Sequence, residues 1–187
     1  MFNILNLFKS KDKQMTDIKD SIVSNARINI LHPSIRKEVK DLIIKAESVI
    51  DQNVAIRVVQ GLRTIEEQNE LFSRGRTKPG KVVTNARGGR SYHNYGTAID
   101  ICLLLKDKDG VYKYDDVKSW QLDKNFREVV KIFKEAKYTW GGDFKTIVDN
   151  PHFEKQPYNW KELLNMYETG KTFSESINGK SYIYVKF

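Results

Sequence analysis

The segment that most constrains the fold is GTAIDICLLL, residues 96–105, which has the apolar and β-branched composition of a central strand yet contains a carboxylate, Asp100. Side chains alternate between the faces of a strand, so one face carries Ala98, Asp100 and Cys102 and the other carries Ile99, Ile101 and Leu103. Burying an ionised carboxylate is costly unless it is paired with a cation or bound to a metal. Asp100 is therefore either the partner of an arginine or part of a metal site.

Helical and extended patterns alternate along the rest of the chain. Thr64 and Glu67 form a capping box that opens a helix ending near Gly75. Asp109 and Gly110 predict a turn from the 96–105 strand into a partner strand. We predict further helices over residues 33–49, 122–133 and 160–169, and further strands over residues 54–61 and 181–187. This mixed order indicates an α+β fold with a small central antiparallel sheet flanked by helices.

Length and composition indicate one globular domain, since the chain has 187 residues of which 40% are hydrophobic. We predict that residues 26–187 form this domain after a partly disordered leader, residues 1–25. The leader is apolar and then basic, the reverse of a secretory signal, and no stretch is apolar for long enough to insert stably in a membrane. Cys102 is the single cysteine, so no intrachain disulfide can form, and its apolar surroundings predict an inert buried thiol.

The formal net charge of +8 predicts attraction to polyanions, which include nucleic acid, an anionic membrane surface and an acidic cell-wall polymer. The lysines and arginines are spread along the whole chain, which disfavours a dedicated nucleic-acid-binding segment. We expect a monomer that has no nucleic-acid partner.

Two of the three histidines, His93 and His152, stand in polar and aromatic segments that are predicted to be turns beside glycine or proline. His93 precedes Asp100 across Gly96, a residue that allows the chain to reverse and aim both side chains at one point. Two imidazoles and one carboxylate are a known ligand set for catalytic zinc. Asp149, three residues before His152, could act as a base near the metal or only cap a turn.

Three segments resemble a known family: residues 61–101, GLRTIEEQNELFSRGRTKPGKVVTNARGGRSYHNYGTAIDI, then WGGDF and DNPHFE. The chain resembles the peptidoglycan L-alanyl-D-glutamate endopeptidases, which occur as bacteriophage endolysins and bacterial cell-wall hydrolases. This group is related to the D-alanyl-D-alanine carboxypeptidases and, in fold, to the hedgehog signalling domain. The resemblance extends from about residue 31 to residue 154, and the Ser-x-His-x6-Asp element with a later Asp-x-x-His is specific as a set.

The resemblance implies one catalytic Zn²⁺ ion with His93, Asp100 and His152 as its ligands, and Asp149 as the catalytic acid/base. In that scheme Asp149 takes a proton from the attacking water and later protonates the leaving amine. Many relatives have glutamate at the acid/base position, and the shorter aspartate must approach the water more closely or act through another water. The shorter side chain leaves the catalytic rate open but does not change the acid/base role that the resemblance implies for Asp149.

The resemblance also implies that Arg63 stabilises the negative oxygen of the tetrahedral intermediate. Ser91 and Gln68 match substrate-contacting positions. The helical spacing of Gln68 leaves open whether it makes a polar core contact or points into a site. The basic loop over residues 74–90 could hold substrate carboxylates or be merely solvated.

The implied activity is zinc-dependent hydrolysis of the L-alanyl-D-glutamate bond in the peptide stems of peptidoglycan. The alternatives are a D,D-carboxypeptidase of the same fold and a non-catalytic zinc module that binds cell wall or a protein. We expect synthesis in the cytoplasm without a signal peptide and action on peptidoglycan in the periplasm or cell wall after release or export.

Overall fold

The computed structural model describes residues 17–187, which contain five α-helices and seven β-strands. In chain order these are α1 Ser21–Asn29, α2 Pro33–Glu47, β1 Val54–Gln60, α3 Ile65–Ser73, β2 Ala98–Lys106, β3 Tyr112–Lys113, α4 Lys124–Glu135, β4 Thr139–Trp140, β5 His152–Glu154, α5 Trp160–Glu168, β6 Thr172–Ile177 and β7 Lys180–Val185. No helix in this part of the chain has both the length and the apolar character needed to cross a membrane.

The main sheet is antiparallel throughout and has β2 at its centre. Its strand order is β1-β2-β5-β4, and the short β3 also pairs with β2. Helices α2 and α4 pack with the sheet around one apolar core. The predicted α+β class with a central antiparallel sheet and flanking helices is therefore confirmed.

The two faces of β2 bury different groups, as its alternation predicts. Ile99, Ile101 and Leu103 belong to the main core, whereas Cys102 packs in a smaller apolar cluster with Ala55. Burial raises the pKa of the Cys102 thiol to about 11, which keeps it protonated and unreactive at neutral pH. The face that carries Cys102 also carries Asp100.

Local sequence signals explain where the helices begin. Pro33 occupies the first position of α2, and His32 caps it by accepting a hydrogen bond from the backbone N–H of Ser34. The predicted capping box of α3 is present, with Thr64 and Glu67 each accepting a hydrogen bond from the other's backbone N–H. These signals set the direction in which each helix leaves the preceding loop.

The predicted leader overlaps the folded domain. Residues 1–16 lie outside the described part of the chain. From residue 17 onward the chain is packed on the domain, since Ile18 is 3% exposed and α1 begins at Ser21. Asp20 accepts two hydrogen bonds from the Arg57 guanidinium on β1, at 2.9 and 3.0 Å.

The C-terminal strands β6 and β7 form a separate two-stranded sheet. Arg36 on α2 holds this hairpin through two hydrogen bonds to the Glu175 carboxylate, at 2.7 and 2.9 Å. His32 contacts the backbone oxygen of Val185 through Nε2 at 3.0 Å. The hairpin is thus attached to the start of α2 by polar contacts with defined geometry.

We expect Glu175→Gln to lower the melting temperature at neutral pH. The hydrogen bonds from Arg36 lower the pKa of Glu175, so the pair contributes stability above the ordinary glutamate pKa. That contribution is lost as the pH falls through the lowered pKa, and the two proteins should then melt together. Thermal denaturation followed by circular dichroism across acid and neutral pH measures this difference in melting temperature.

Asp41→Asn, which removes an exposed pair with Lys37, is the control and should change the melting temperature less. A Glu175→Gln difference that persists unchanged into acid would contradict the prediction.

Candidate metal centre and catalytic cavity

The pairing of β2 with β5 places Asp100 directly opposite His152. Opposed residues of an antiparallel pair project from the same face of the sheet, so the two side chains meet. The Nδ1 atom of His152 lies 2.9 Å from Oδ1 of Asp100. His152 therefore stands on a strand and not in the turn that its surroundings predicted.

His93 reaches the same point from a short 3₁₀ turn, Tyr92–Tyr95. Gly96 ends this turn with φ +69°, and a Cβ atom there would lie 2.7 Å from the backbone nitrogen of His32. The reversal brings His93 Nε2 to 3.1 Å from Asp100 Oδ1 and 3.2 Å from His152 Nδ1. The predicted role of Gly96 in aiming His93 is confirmed.

The three facing atoms have the spacing of a zinc ligand set. They are separated by 2.9, 3.1 and 3.2 Å. Zinc bonds of about 2.0–2.1 Å at tetrahedral angles place ligand atoms roughly 3.3 Å apart, so a small expansion of the cluster would admit the ion. Two imidazoles and a carboxylate also leave the fourth position open, as a catalytic site requires. His93, Asp100 and His152 thus fit zinc by donor type and by distance.

Each imidazole is oriented by a contact on its other nitrogen. His93 donates from Nδ1 to the backbone oxygen of Gly61 at 2.7 Å, and His152 donates from Nε2 to the Glu154 carboxylate at 2.9 Å. A carbonyl or carboxylate oxygen can only accept, so when the rings are neutral, as metal binding requires, the lone pairs of His93 Nε2 and His152 Nδ1 face the centre. Each ring thus has the tautomer in which the nitrogen that faces the centre can bind a metal.

Glu154 is a functional residue that the sequence reasoning missed. It is 8% exposed and lies two residues beyond His152 on the same strand, so both side chains project from one face. The HFE tripeptide carries that spacing and could have revealed it. Glu154 also accepts a hydrogen bond from the Gln156 side chain, which fixes its carboxylate in place.

Charge interactions dominate the cluster. Burial opposes ionisation of Asp100, but the neighbouring imidazoles of His93 and His152 outweigh it and hold the pKa of that carboxyl well below its usual range. Burial likewise opposes a charged His152, yet hydrogen bonds to Asp100 and Glu154 raise its pKa to about 10. The pocket is therefore built for positive charge at the point where the three side chains meet.

Asp149 lines the same cavity as the three candidate ligands. Its backbone N–H donates to the oxygen of Gly141 at 3.0 Å, and its oxygen accepts from the N–H of His152 at 3.1 Å. A Cβ atom on Gly141 would lie 2.4 Å from that oxygen, so glycine is required there. Burial, followed by repulsion from Asp100, raises the pKa of the Asp149 carboxyl. An acid with a raised pKa gives up and takes back a proton closer to neutral pH.

Arg63 brings a guanidinium to this cluster. It donates from Nη1 to Gln68 Oε1 at 2.8 Å, and its Nη2 lies 3.7 Å from Asp100 Oδ2. Gln68 is fully buried and donates to the backbone oxygen of Ala86 at 2.8 Å. Its spacing left two interpretations open, and the structure shows a buried polar contact: Gln68 does not itself line the cavity but bonds to Arg63, Thr84 and Ala86, which do. Ser91 lines the cavity at the start of the His93 turn.

The cavity that contains these groups has a volume of about 380 Å³. Its walls also include Leu71, Val83, Tyr92 and Phe144. An apolar wall around a few converging charged groups is the usual construction of an enzyme site. This arrangement can accommodate a short peptide segment beside the candidate ligands.

Comparison with known sequences covers part of the site, since His93, Asp100, Asp149 and His152 lie within residues 84–155 whereas Arg63 and Gln68 precede them. A sequence model described as D-alanyl-D-alanine carboxypeptidase matches residues 84–155. The peptidoglycan L-alanyl-D-glutamate endopeptidase CwlK of Bacillus subtilis (strain 168) is 41% identical over 129 residues, which are 68% of this chain and 74% of the relative. The L-alanyl-D-glutamate peptidase of Listeria phage A118 is 28% identical over 138 residues, which are 74% of this chain and 41% of the relative.

Comparison with solved structures finds the Serratia marcescens L-Ala D-Glu endopeptidase ChiX. It has a TM-score of 0.44 and 23% sequence identity, and the match covers 71% of this chain and 86% of that one.

We expect Glu154→Gln to weaken zinc binding by about 10- to 100-fold, the usual effect of losing a carboxylate behind a ligating histidine. The neutral amide is a weaker acceptor for the His152 N–H and makes the opposite nitrogen a poorer ligand. Competition with a chelating dye measures the affinity. Glu175→Gln, the same chemical change on the C-terminal hairpin, should bind zinc like the parent. Equal affinities for parent and Glu154→Gln would show that the contact does not tune the site.

Proposed function

We infer the function from the family, since the chain belongs to the peptidoglycan L-alanyl-D-glutamate endopeptidases. We propose that it is a zinc-dependent hydrolase of the L-alanyl-D-glutamate bond in the peptide stems of the bacterial cell wall. The observation that carries the proposal is the meeting of His93, Asp100 and His152 in one cavity with Asp149 and Arg63. A ligand set, a base and a cation for the developing negative charge are the parts that amide hydrolysis needs.

In the proposed mechanism His93, Asp100 and His152 hold the zinc ion. When bound, zinc supplies a Lewis acid that lowers the pKa of a water molecule and polarises a carbonyl oxygen. Asp149 accepts the proton of the attacking water on its carboxylate and then donates it to the nitrogen of the leaving amine. Its raised pKa suits both transfers.

The Arg63 guanidinium faces the same cavity and offers N–H donors to the oxygen that becomes negative during attack. Gln68 fixes one arm of Arg63, which leaves the cation in place before the substrate enters. Ser91 presents its hydroxyl beside His93 and orients the peptide. Because the Arg63 donors are already in position, they need not rearrange when the negative charge develops on the substrate oxygen.

A D,D-carboxypeptidase is the second candidate, because the matching sequence model carries that description. The same ligand set and base would serve either bond, so the choice concerns which part of the stem enters the cavity. The relative that is 41% identical is named for the L-alanyl-D-glutamate bond, which favours the first candidate.

A non-catalytic zinc module that only binds cell wall or a protein is the third candidate. Such a module needs no base or oxyanion donor beside the metal. Asp149 and Arg63 line the cavity with the ligands, which favours catalysis.

We propose that the chain acts as a monomer on peptidoglycan in the periplasm or cell wall, after synthesis in the cytoplasm and release or export. The net charge of +8 would draw the protein to an acidic wall polymer. Salt screens this attraction and would therefore weaken non-specific adsorption of the protein to the wall.

Digestion of purified muropeptides tests the choice of bond. We expect a product with a new amino terminus on D-glutamate and L-alanine left on the sugar side, with no free D-alanine, as read by mass spectrometry. A zinc chelator should stop the reaction, and added zinc should restore it. Free D-alanine as the main product would establish the D,D-carboxypeptidase instead.

Two substitutions separate metal binding from proton transfer. Asp149→Asn should lower kcat by about 10²- to 10⁴-fold, the usual contribution of a general acid/base, while its zinc content stays that of the parent. Asp100→Ala should lose zinc together with activity. Metal analysis by mass spectrometry and rates on one muropeptide give both quantities. An Asp149→Asn protein that cleaves at the parental rate would refute the assignment of the base.

A further inference from the structure

Arg90 is the one basic residue of the loop over residues 74–90 that lines the catalytic cavity, and its side chain is exposed. It lies three residues before the candidate ligand His93. Its guanidinium carbon is 4.9 Å from the centre of the Trp160 ring, and it forms no ion pair with a carboxylate in the described part of the chain. A cation without a counterion at the wall of a binding cavity is available to a ligand.

The neighbouring cations of the loop are directed elsewhere. Arg76 and Arg87 lie over the ring of Phe72, with guanidinium carbons 3.9 and 5.0 Å from its centre. Lys78 is paired with the carboxylate of Glu70. The other two basic residues of the loop, Arg74 and Lys81, do not line the cavity either, so the expectation that this loop holds substrate carboxylates narrows to Arg90.

The backbone around Arg90 is held firmly. The N–H of Gly89 donates to Asn94 Oδ1 at 2.9 Å, and its oxygen accepts from the Tyr95 hydroxyl at 2.6 Å. The N–H of Arg90 donates to the oxygen of Arg87 at 3.0 Å. The backbone of Arg90 is thus fixed, and the contact with the Trp160 ring favours side-chain conformations that keep the guanidinium near the cavity.

The proposed substrate brings an anion to this place. The scissile amide uses the amine of glutamate, so both carboxyl groups of that residue remain, and the stem continues through only one of them. The other is a free carboxylate or is capped as an amide. The nearer carboxyl carbon is two bonds, or about 2.5 Å, from the scissile nitrogen, and therefore lies inside the cavity during cleavage.

A carboxylate entering the cavity meets the carboxylates of Asp100, Asp149 and Glu154. Like charges repel at short range, and the repulsion is strong where water is excluded. The guanidinium of Arg63 is bonded to Gln68, lies near Asp100 and is assigned above to the negative oxygen of the intermediate, so a second anion needs another cation. Binding of a substrate carboxylate therefore needs an unpaired cation in the cavity wall to offset this repulsion.

We propose that Arg90 binds the free carboxylate of the glutamyl residue and makes the protein select stems with that carboxylate over stems in which it is amidated. This assignment rests on the proposed function and names a determinant of its specificity. The planar guanidinium can offer two parallel N–H donors to a carboxylate, which an uncharged amide receives less well.

The test compares two synthetic muropeptides that differ only at this group, one with D-glutamate and one with its amide, in the zinc-loaded protein. We expect the parent to prefer the carboxylate form. Arg90→Gln should lower kcat/KM on that form by about 10- to 100-fold, mainly through KM, as expected for a lost charge-assisted hydrogen bond. It should change kcat/KM on the amide form by less than about twofold.

Lys161→Gln is the matched control. Lys161 also lies over the Trp160 ring, at 5.7 Å, but does not line the cavity, so both substrates should be cleaved as by the parent. Equal losses on the two substrates in Arg90→Gln, or no loss on either, would overturn the assignment. Failure of the proposed function has a different signature, since the parent protein would then cleave neither peptide at this bond.

Discussion

The register between β2 and β5 is the constraint on which the rest of the site depends. Asp100 opposes His152, and the next pair along, Ile99 and Phe153, faces the other way into the main core. A slip of one residue in either strand would send an apolar side chain into the cavity and a polar one into the core. The hydrophobic effect, acting on residues with no chemical role, therefore sets the position of the candidate ligands.

Groups outside the set of three candidate ligands hold the reactive side chains. The Gly61 carbonyl at the end of β1 orients His93, Glu154 orients His152, and the buried amide of Gln68 holds Arg63. Each comes from a different element, so the sheet, α3 and the turns must all be in place. Such support fixes His93 and Arg63, although His93 lies on a 3₁₀ turn and Arg63 on the loop before α3.

Signals confined to one strand or one helical turn were readable from sequence, among them the two faces of β2 around Asp100 and the capping box of α3. The short β5 was missed because its three residues gain their conformation from partners about fifty positions away. Residues 21–25, the first part of α1, were assigned to the leader because their contacts with the domain are distant in sequence, like the Asp20 and Arg57 pair, and no local pattern reveals them. Periodicity placed Gln68 on an apolar face, but only the fold shows that it holds Arg63.

The separation of the ligands along the chain has a consequence for synthesis. His93 and Asp100 lie close together and emerge from the ribosome early, whereas His152 and the Glu154 that orients it follow only after α4 and β4. A nascent chain that ends before residue 152 carries two of the three ligands and neither the third nor its support. With these candidate ligands, hydrolytic competence cannot arise before β5, the last strand of the main sheet, has been translated.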